Sequence, residues 1–195
     1  MKYLDFKTDY ALAQVRIGSG FSNRIKLVLV NTLGKLRMST EKYINLFTDF
    51  GFKKLFGEES SKEYLIAFLN TLLPEEHHIC ELSYTHNEQL GATQADRKAI
   101  FDLHCKNNKD EYFIVELQKA KQNYFKERSI YYATFPIQQQ AQKGDWDFKL
   151  EAVYTIGILD FEFDEDKQQG NKDVVHTIQL KNQHNRVFYQ KCTFI

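Results

Sequence analysis

Within residues 99–120, AIFDLHCKNNKDEYFIVELQKA, Asp102 interrupts one apolar run, and Glu116 and Gln118 interrupt the next. A carboxylate inside a run suited to burial costs free energy unless a partner or a metal offsets it. If the polar cluster at 106–110 turns the chain through three residues, Asn107 pairs with Glu111. Asp102 then falls opposite Glu116, with Cβ atoms about 4.5–5.5 Å apart. A slip of one residue would send the two acids to opposite faces. Facing carboxylates repel, and one keeps its proton unless a cation lies between them. A hard divalent ion such as Mg²⁺ (or Mn²⁺) takes oxygen ligands: one or two carboxylates, waters and substrate phosphate oxygens. Asp102, Glu116 and the backbone carbonyl of Leu117 could supply such a site. Gln118, one pleat along the same face, could orient a water for attack on phosphorus, which is metal-assisted phosphodiester hydrolysis. Acids on the solvent side of a half-covered hairpin explain the same spacing without any ion.

Those residues need a hairpin, and the hairpin needs a core around it. CELSYTH (80–86), KAIFDLHC (98–105) and EYFIVELQ (111–118) read as strands, rich in aromatic and branched residues. Before them, a helical turn is expected over about 49–56, with Thr48 as N-cap and Phe52, Leu55 and Phe56 inward. SSKE at 60–63 reads as a capping box for an amphipathic helix ending at Pro74. After the hairpin a helix is expected over about 119–142, bending before Pro136 and ended by Gly144. Strands should follow at 150–163, 174–182 and 186–195, around a charged loop DEDKQQGNKD. The order implies an α/β or α+β core, and the fold expected is α/β, a mixed sheet flanked by helices.

The 195 residues suffice for one ordinary domain with a core. Residues 1–37 show no sustained period, whereas MSTEKYINLF begins a coherent pattern at Met38. The expected division is therefore an extension over 1–37, outside the native core, and a domain over 38–195. That domain stops inside its last apolar run, as a C-terminally truncated one would.

Lys plus Arg equals Asp plus Glu at 26 each, so phosphate binding must come from a local patch and not from overall charge. The densest basic stripe is Lys119, Lys121, Lys126 and Arg128, able to hold a DNA backbone without reading bases; a solvated helix face explains the lysines equally well. Arg128 has two readings of equal weight: a bidentate phosphate contact, or a structural role, pairing with Glu116 or packing on tyrosine. Three scattered cysteines fit a reducing cytoplasm better than a disulfide framework. No apolar run is long enough to span a bilayer, so no membrane association is expected. The histidines lack metal-ligand spacing; His104 shares the face of Asp102, where a satisfied sheet histidine is the simpler reading.

The order FD…EYFIVELQ, then YFKERSIYY, preceded by YINLFTDFGFKKLFG and TLLP, resembles the PD-(D/E)XK nuclease family transposases, the recombination-promoting nuclease (Rpn) group. The resemblance runs from about Lys42 to the C-terminus and implies a restriction-endonuclease-like core and a metal-dependent DNA endonuclease. It implies Asp102 and Glu116 as metal ligands. It also matches an early segment at Asp49 to Phe56, suggesting Asp49 as a supporting carboxylate and Lys53 as a phosphate contact. Against that stand a capping-region acid and a solvated lysine. The third motif position, lysine in many relatives, is Gln118 here. An amide can hydrogen-bond but brings no charge. A catalytically weak or inactive DNA-binding or interaction module derived from such a nuclease is the alternative. Oligomeric state is left open, a homodimer included.

Overall fold

The computed structural model describes residues 4–5, 14–15, 46–89, 99–141, 147–169 and 173–195. The expectations for Met38 and Gly144 fall outside them. The chain divides into two compact units. One comprises Met1–Ile79, Leu117–Lys121 and Leu159–Val174; the other comprises Cys80–Glu116, Gln122–Ile158 and Val175–Ile195.

In the first unit, strands β1 (Leu4–Asp5) and β2 (Gln14–Val15) pair antiparallel. Helix α1 (Asp49–Phe56) starts where expected, because the Thr48 hydroxyl accepts the Gly51 N–H at 3.0 Å and satisfies a first-turn donor. Its buried Phe52 and Phe56 meet edge to face at 5.4 Å. Phe56 also meets Phe68 of helix α2 (Lys62–Asn70) at 5.4 Å. The capping box at Ser60 and Glu63 does not form. A 3₁₀ turn over Glu59–Ser61 runs directly into α2, so no extended residue precedes the helix. The Ser60 hydroxyl is drawn to Glu58 instead, and α2 ends at Asn70, short of Pro74.

The second unit is built on a six-stranded sheet in the order β3 (Leu82–Tyr84), β6 (Leu103–Asn107), β7 (Tyr112–Gln118), β8 (Val153–Leu159), β10 (Val187–Phe194), β9 (Ile178–Lys181). The β3–β6, β6–β7 and β9–β10 pairs are antiparallel, and β8–β10 is parallel. Tyr112 N–H donates to Ala152 O, and Asp160 N–H donates to Gln118 O, so partners advance together along β7 and β8, as in a parallel pair. Between those two strands the chain crosses through helix α3 (Phe125–Gln139), giving a β–α–β unit. Strands covered on both faces lose the in-out alternation of a half-exposed strand, and residues 113–116 and 153–156 are buried at every position. Tyr132 and Phe135 of α3 pack on Phe101 and Ile114, with Phe101 and Tyr132 ring centroids 5.0 Å apart. The fold is α/β, with a mixed sheet and helices, consistent with a restriction-endonuclease-like core.

Several boundaries differ from those expected. Helix α3 begins at Phe125, not near 119, because Tyr124 takes the left-handed conformation (φ 62°, ψ 30°) and stops the helix from extending backwards. It continues through Pro136 to Gln139. The strand expected over 98–105 is divided: Ala99–Ile100 (β5) pairs with Glu88–Gln89 (β4), the chain bends at Asp102, and β6 starts at Leu103. The C-terminal strands are shorter than expected, and a helix, α4 (Asp164–Gln169), occupies the charged segment. No described helix is long and apolar enough to cross a membrane.

Candidate functional site

The β6–β7 turn fixes the register on which the site depends. Asn108 and Lys109 form the turn and Asp110 follows in the left-handed region (φ 61°), a three-residue hairpin connection. The Asn107 carboxamide stabilises it from inside, accepting the N–H groups of Lys109 at 2.9 Å and Glu111 at 3.0 Å while donating to the buried Glu111 carboxylate at 2.7 Å. Asn107 N–H donates to Glu111 O at 3.0 Å. The ladder then runs Lys106 with Tyr112, Cys105 with Phe113, His104 with Ile114, and Leu103 with Val115. One step further, Asp102 comes opposite Glu116.

At that step the ladder changes character. The Asp102 N–H donates to the Glu116 side-chain Oε1 at 3.0 Å. Glu116 is 5% exposed, whereas Asp102 is half-buried, so one acid is sheltered and the other faces solvent in part. A buried carboxylate that accepts a backbone N–H is held in one orientation. On the other edge of the bend, Asn87 bonds to both sides of Asp102. Its Nδ2 donates to Asp102 O at 3.0 Å, and its Oδ1 accepts the His104 N–H at 3.0 Å. Its backbone carbonyl accepts the Phe101 N–H at 2.8 Å.

His104 is fully buried, stacked on Tyr112 at 5.8 Å and met edge-on by Phe101 at 5.1 Å. Its Nδ1 lies 3.2 Å from the His86 carbonyl, which makes Nδ1 the protonated nitrogen of the neutral ring. Burial pushes the imidazole below its usual range, opposed by that carbonyl. Nε2 is buried with no hydrogen-bond partner, so the expectation of a satisfied histidine holds at one nitrogen only.

Helix α3 brings Tyr132 into electrostatic range of both acids and of Arg128. Burial raises the Tyr132 phenol; the Glu116 charge raises it further, Arg128 opposes, and Asp102 adds a smaller push. Arg128 lies over the Phe125 ring at 5.5 Å and the Tyr132 ring at 5.8 Å, and its Nη1 donates to Gln122. Its Nη2 is buried without a hydrogen-bond partner. The packing on tyrosine is made with the Tyr132 ring.

Gln118 lies two residues beyond Glu116 on β7, buried like it, while Leu117 between them turns its side chain to the opposite face. At Leu117 the strand passes into the first unit. Asp49 and Lys53 lie in that unit and pair with each other at 2.8 Å on an exposed helix face. The expected stripe Lys119, Lys121, Lys126 and Arg128 is not one helix face. Lys119 and Lys121 precede α3, and Lys121 pairs with Asp164. Sequence reasoning passed over Asn87 and Tyr132. Asn87 sits in a polar segment with no local pattern, and only contacts across more than a dozen residues of chain single it out.

The donor set is one of hard oxygens. Among the described residues no three His, Cys, Asp or Glu side chains gather into a metal cluster. A pair of carboxylates is the number that Mg²⁺ commonly takes from a protein, the rest coming from water and phosphate. The residues present therefore fit a hard divalent ion.

A family model described as PD-(D/E)XK nuclease family transposase matches residues 46–195, spanning the hairpin, α3 and the strands after it. No curated protein and no solved structure shows a significant match to the chain. With most of its length covered by that family model, and with a mixed sheet and helices of the α/β kind, the chain belongs to the PD-(D/E)XK nuclease family transposases.

Proposed function

We propose that the protein is a metal-dependent DNA endonuclease of the recombination-promoting kind, hydrolysing phosphodiester bonds with Mg²⁺ or Mn²⁺. The observation that carries this reading is the sheltered Glu116 carboxylate, oriented by the Asp102 N–H and set opposite Asp102 across the hairpin. Nucleases of this family generally use divalent metals. Asp102 and Glu116 would hold the ion, with the Leu117 carbonyl as a further oxygen donor. When bound, such an ion polarises the phosphate and lowers the pKa of a nearby water. The side chains do the rest. Gln118 holds and aims the attacking water through its amide. Tyr132, kept protonated by burial and by Glu116, is a hydrogen-bond donor at the edge of the acid pair. Arg128, with an unpartnered Nη2, is a candidate phosphate contact. Asp49, Lys53, Lys119, Lys121 and Lys126 are proposed only as outlying phosphate or supporting groups.

The test is cleavage of supercoiled plasmid across a Mg²⁺ and Mn²⁺ series by wild type, Asp102→Ala and Glu116→Ala. Wild type should nick or linearise the plasmid, and each variant should lose activity by about two orders of magnitude or more. Equal cleavage by wild type and variants would reject the assignment. Gln118 in place of a lysine favours one rival, a DNA-binding module without cleavage. For that rival the same series shows no cut product with any ion, while a gel-shift of the DNA survives in the Glu116→Ala variant.

A further inference from the structure

We infer that Asn87 is a positioning residue for the metal site, holding the Asp102 backbone in the bend that aims its carboxylate. The inference rests on the proposed metal-dependent reading and deepens it. A regular antiparallel strand would direct the N–H and C=O of Asp102 to one neighbouring strand. Here they diverge: the N–H goes to the Glu116 carboxylate, and the C=O goes to the Asn87 amide. The Asn87 side chain presents a donor and an acceptor with the spacing of a peptide unit, and it uses both, one on Asp102 O and one on His104 N–H. Its backbone carbonyl takes the Phe101 N–H. Three bonds from one residue therefore bracket Asp102 from positions 101 to 104, where partner strand β3 has already ended at Tyr84. Thr85 extends the pairing by one step, its N–H and hydroxyl both donating to His104 O. Beyond it, Asn87 bonds Phe101, Asp102 and His104 along this edge of the bend.

Groups that orient a ligand without touching the ion commonly change metal affinity by about 10- to 100-fold when removed. Asn87→Ala deletes both side-chain bonds. Asn87→Asp keeps an acceptor for His104 N–H but sets a carboxylate oxygen against Asp102 O. Titrating Mn²⁺ by electron paramagnetic resonance, without DNA, into wild type, Asn87→Ala, Asn87→Asp and Asp102→Ala reads the effect apart from activity. Melting temperatures of the metal-free proteins report any structural loss. The expected result is tight binding by wild type, loss in Asp102→Ala, and at least about tenfold weaker binding by both Asn87 variants. If Asn87→Ala does not fold, Asn87→Asp decides. Wild-type affinity in a folded Asn87 variant, with binding still lost in Asp102→Ala, overturns the positioning role and leaves the metal reading standing. Binding absent from wild type, or unchanged in Asp102→Ala, removes both.

Discussion

Among individual residues, Gln118 is the one through which the proposed function separates binding from chemistry most sharply. It is buried on the strand face of Glu116, and its backbone carbonyl accepts the Asp160 N–H at 2.9 Å, so the side chain projects from a fixed main chain. An amide there can aim a water but cannot neutralise charge developing on phosphate. Gln118→Lys should therefore raise single-turnover cleavage at saturating Mg²⁺ by about tenfold, because a charged donor stabilises the transition state more than a neutral one. An unchanged or lower rate in a folded variant would move Gln118 out of the reacting region. The acid pair itself was legible in the sequence, since side-chain alternation and a three-residue turn determine who faces whom. Asn87 and Tyr132 were not, because their roles come from chain crossings that no local period encodes.

At the level of the element, the hairpin depends on one internal carboxamide. Asn107 is 5% exposed and supplies the turn with two acceptor contacts and one donor contact. Asn107→Ala would strand the Glu111 carboxylate and two N–H groups, at a cost of about 1–3 kcal/mol measured by urea unfolding. Stability within a few tenths of wild type would mean that water replaces the amide. Turn and strand were readable because Asn and Asp favour this geometry and the β-branched and aromatic residues favour burial. Helix starts were less so. Thr48 capped α1 as expected, but SSKE did not cap α2, since the 3₁₀ turn ahead of Ser61 denies the extended backbone a capping residue needs. Likewise the lysines after Gln118 match a helical pattern, yet Tyr124 in the left-handed region begins α3 six residues later than its composition suggests.

For the molecule as a whole, the order of helix, hairpin, helix and further strands was readable from periodicity. The sheet order β3-β6-β7-β8-β10-β9 was not, because nothing local decides which later strand inserts beside β8. On β8, Tyr154 is buried, its ring stacked on Phe113 at 5.0 Å and its phenol pushed up to about 12, by burial first and the Glu111 charge second. The sign follows directly. Above pH 10 the unfolded phenol ionises while the folded one holds its proton, so this contribution is intact below 10 and drains away as pH rises towards 12. Melting curves of wild type should therefore fall more steeply from pH 9.5 to 11.5 than those of Tyr154→Phe; parallel curves would contradict it. A last consequence concerns the bond from Asp102 N–H to Glu116. Because the main chain of one acid is tied to the side chain of the other, the two positions do not vary independently. Truncating Glu116 also slackens Asp102, so the loss from changing both together should be smaller than the sum of the separate losses.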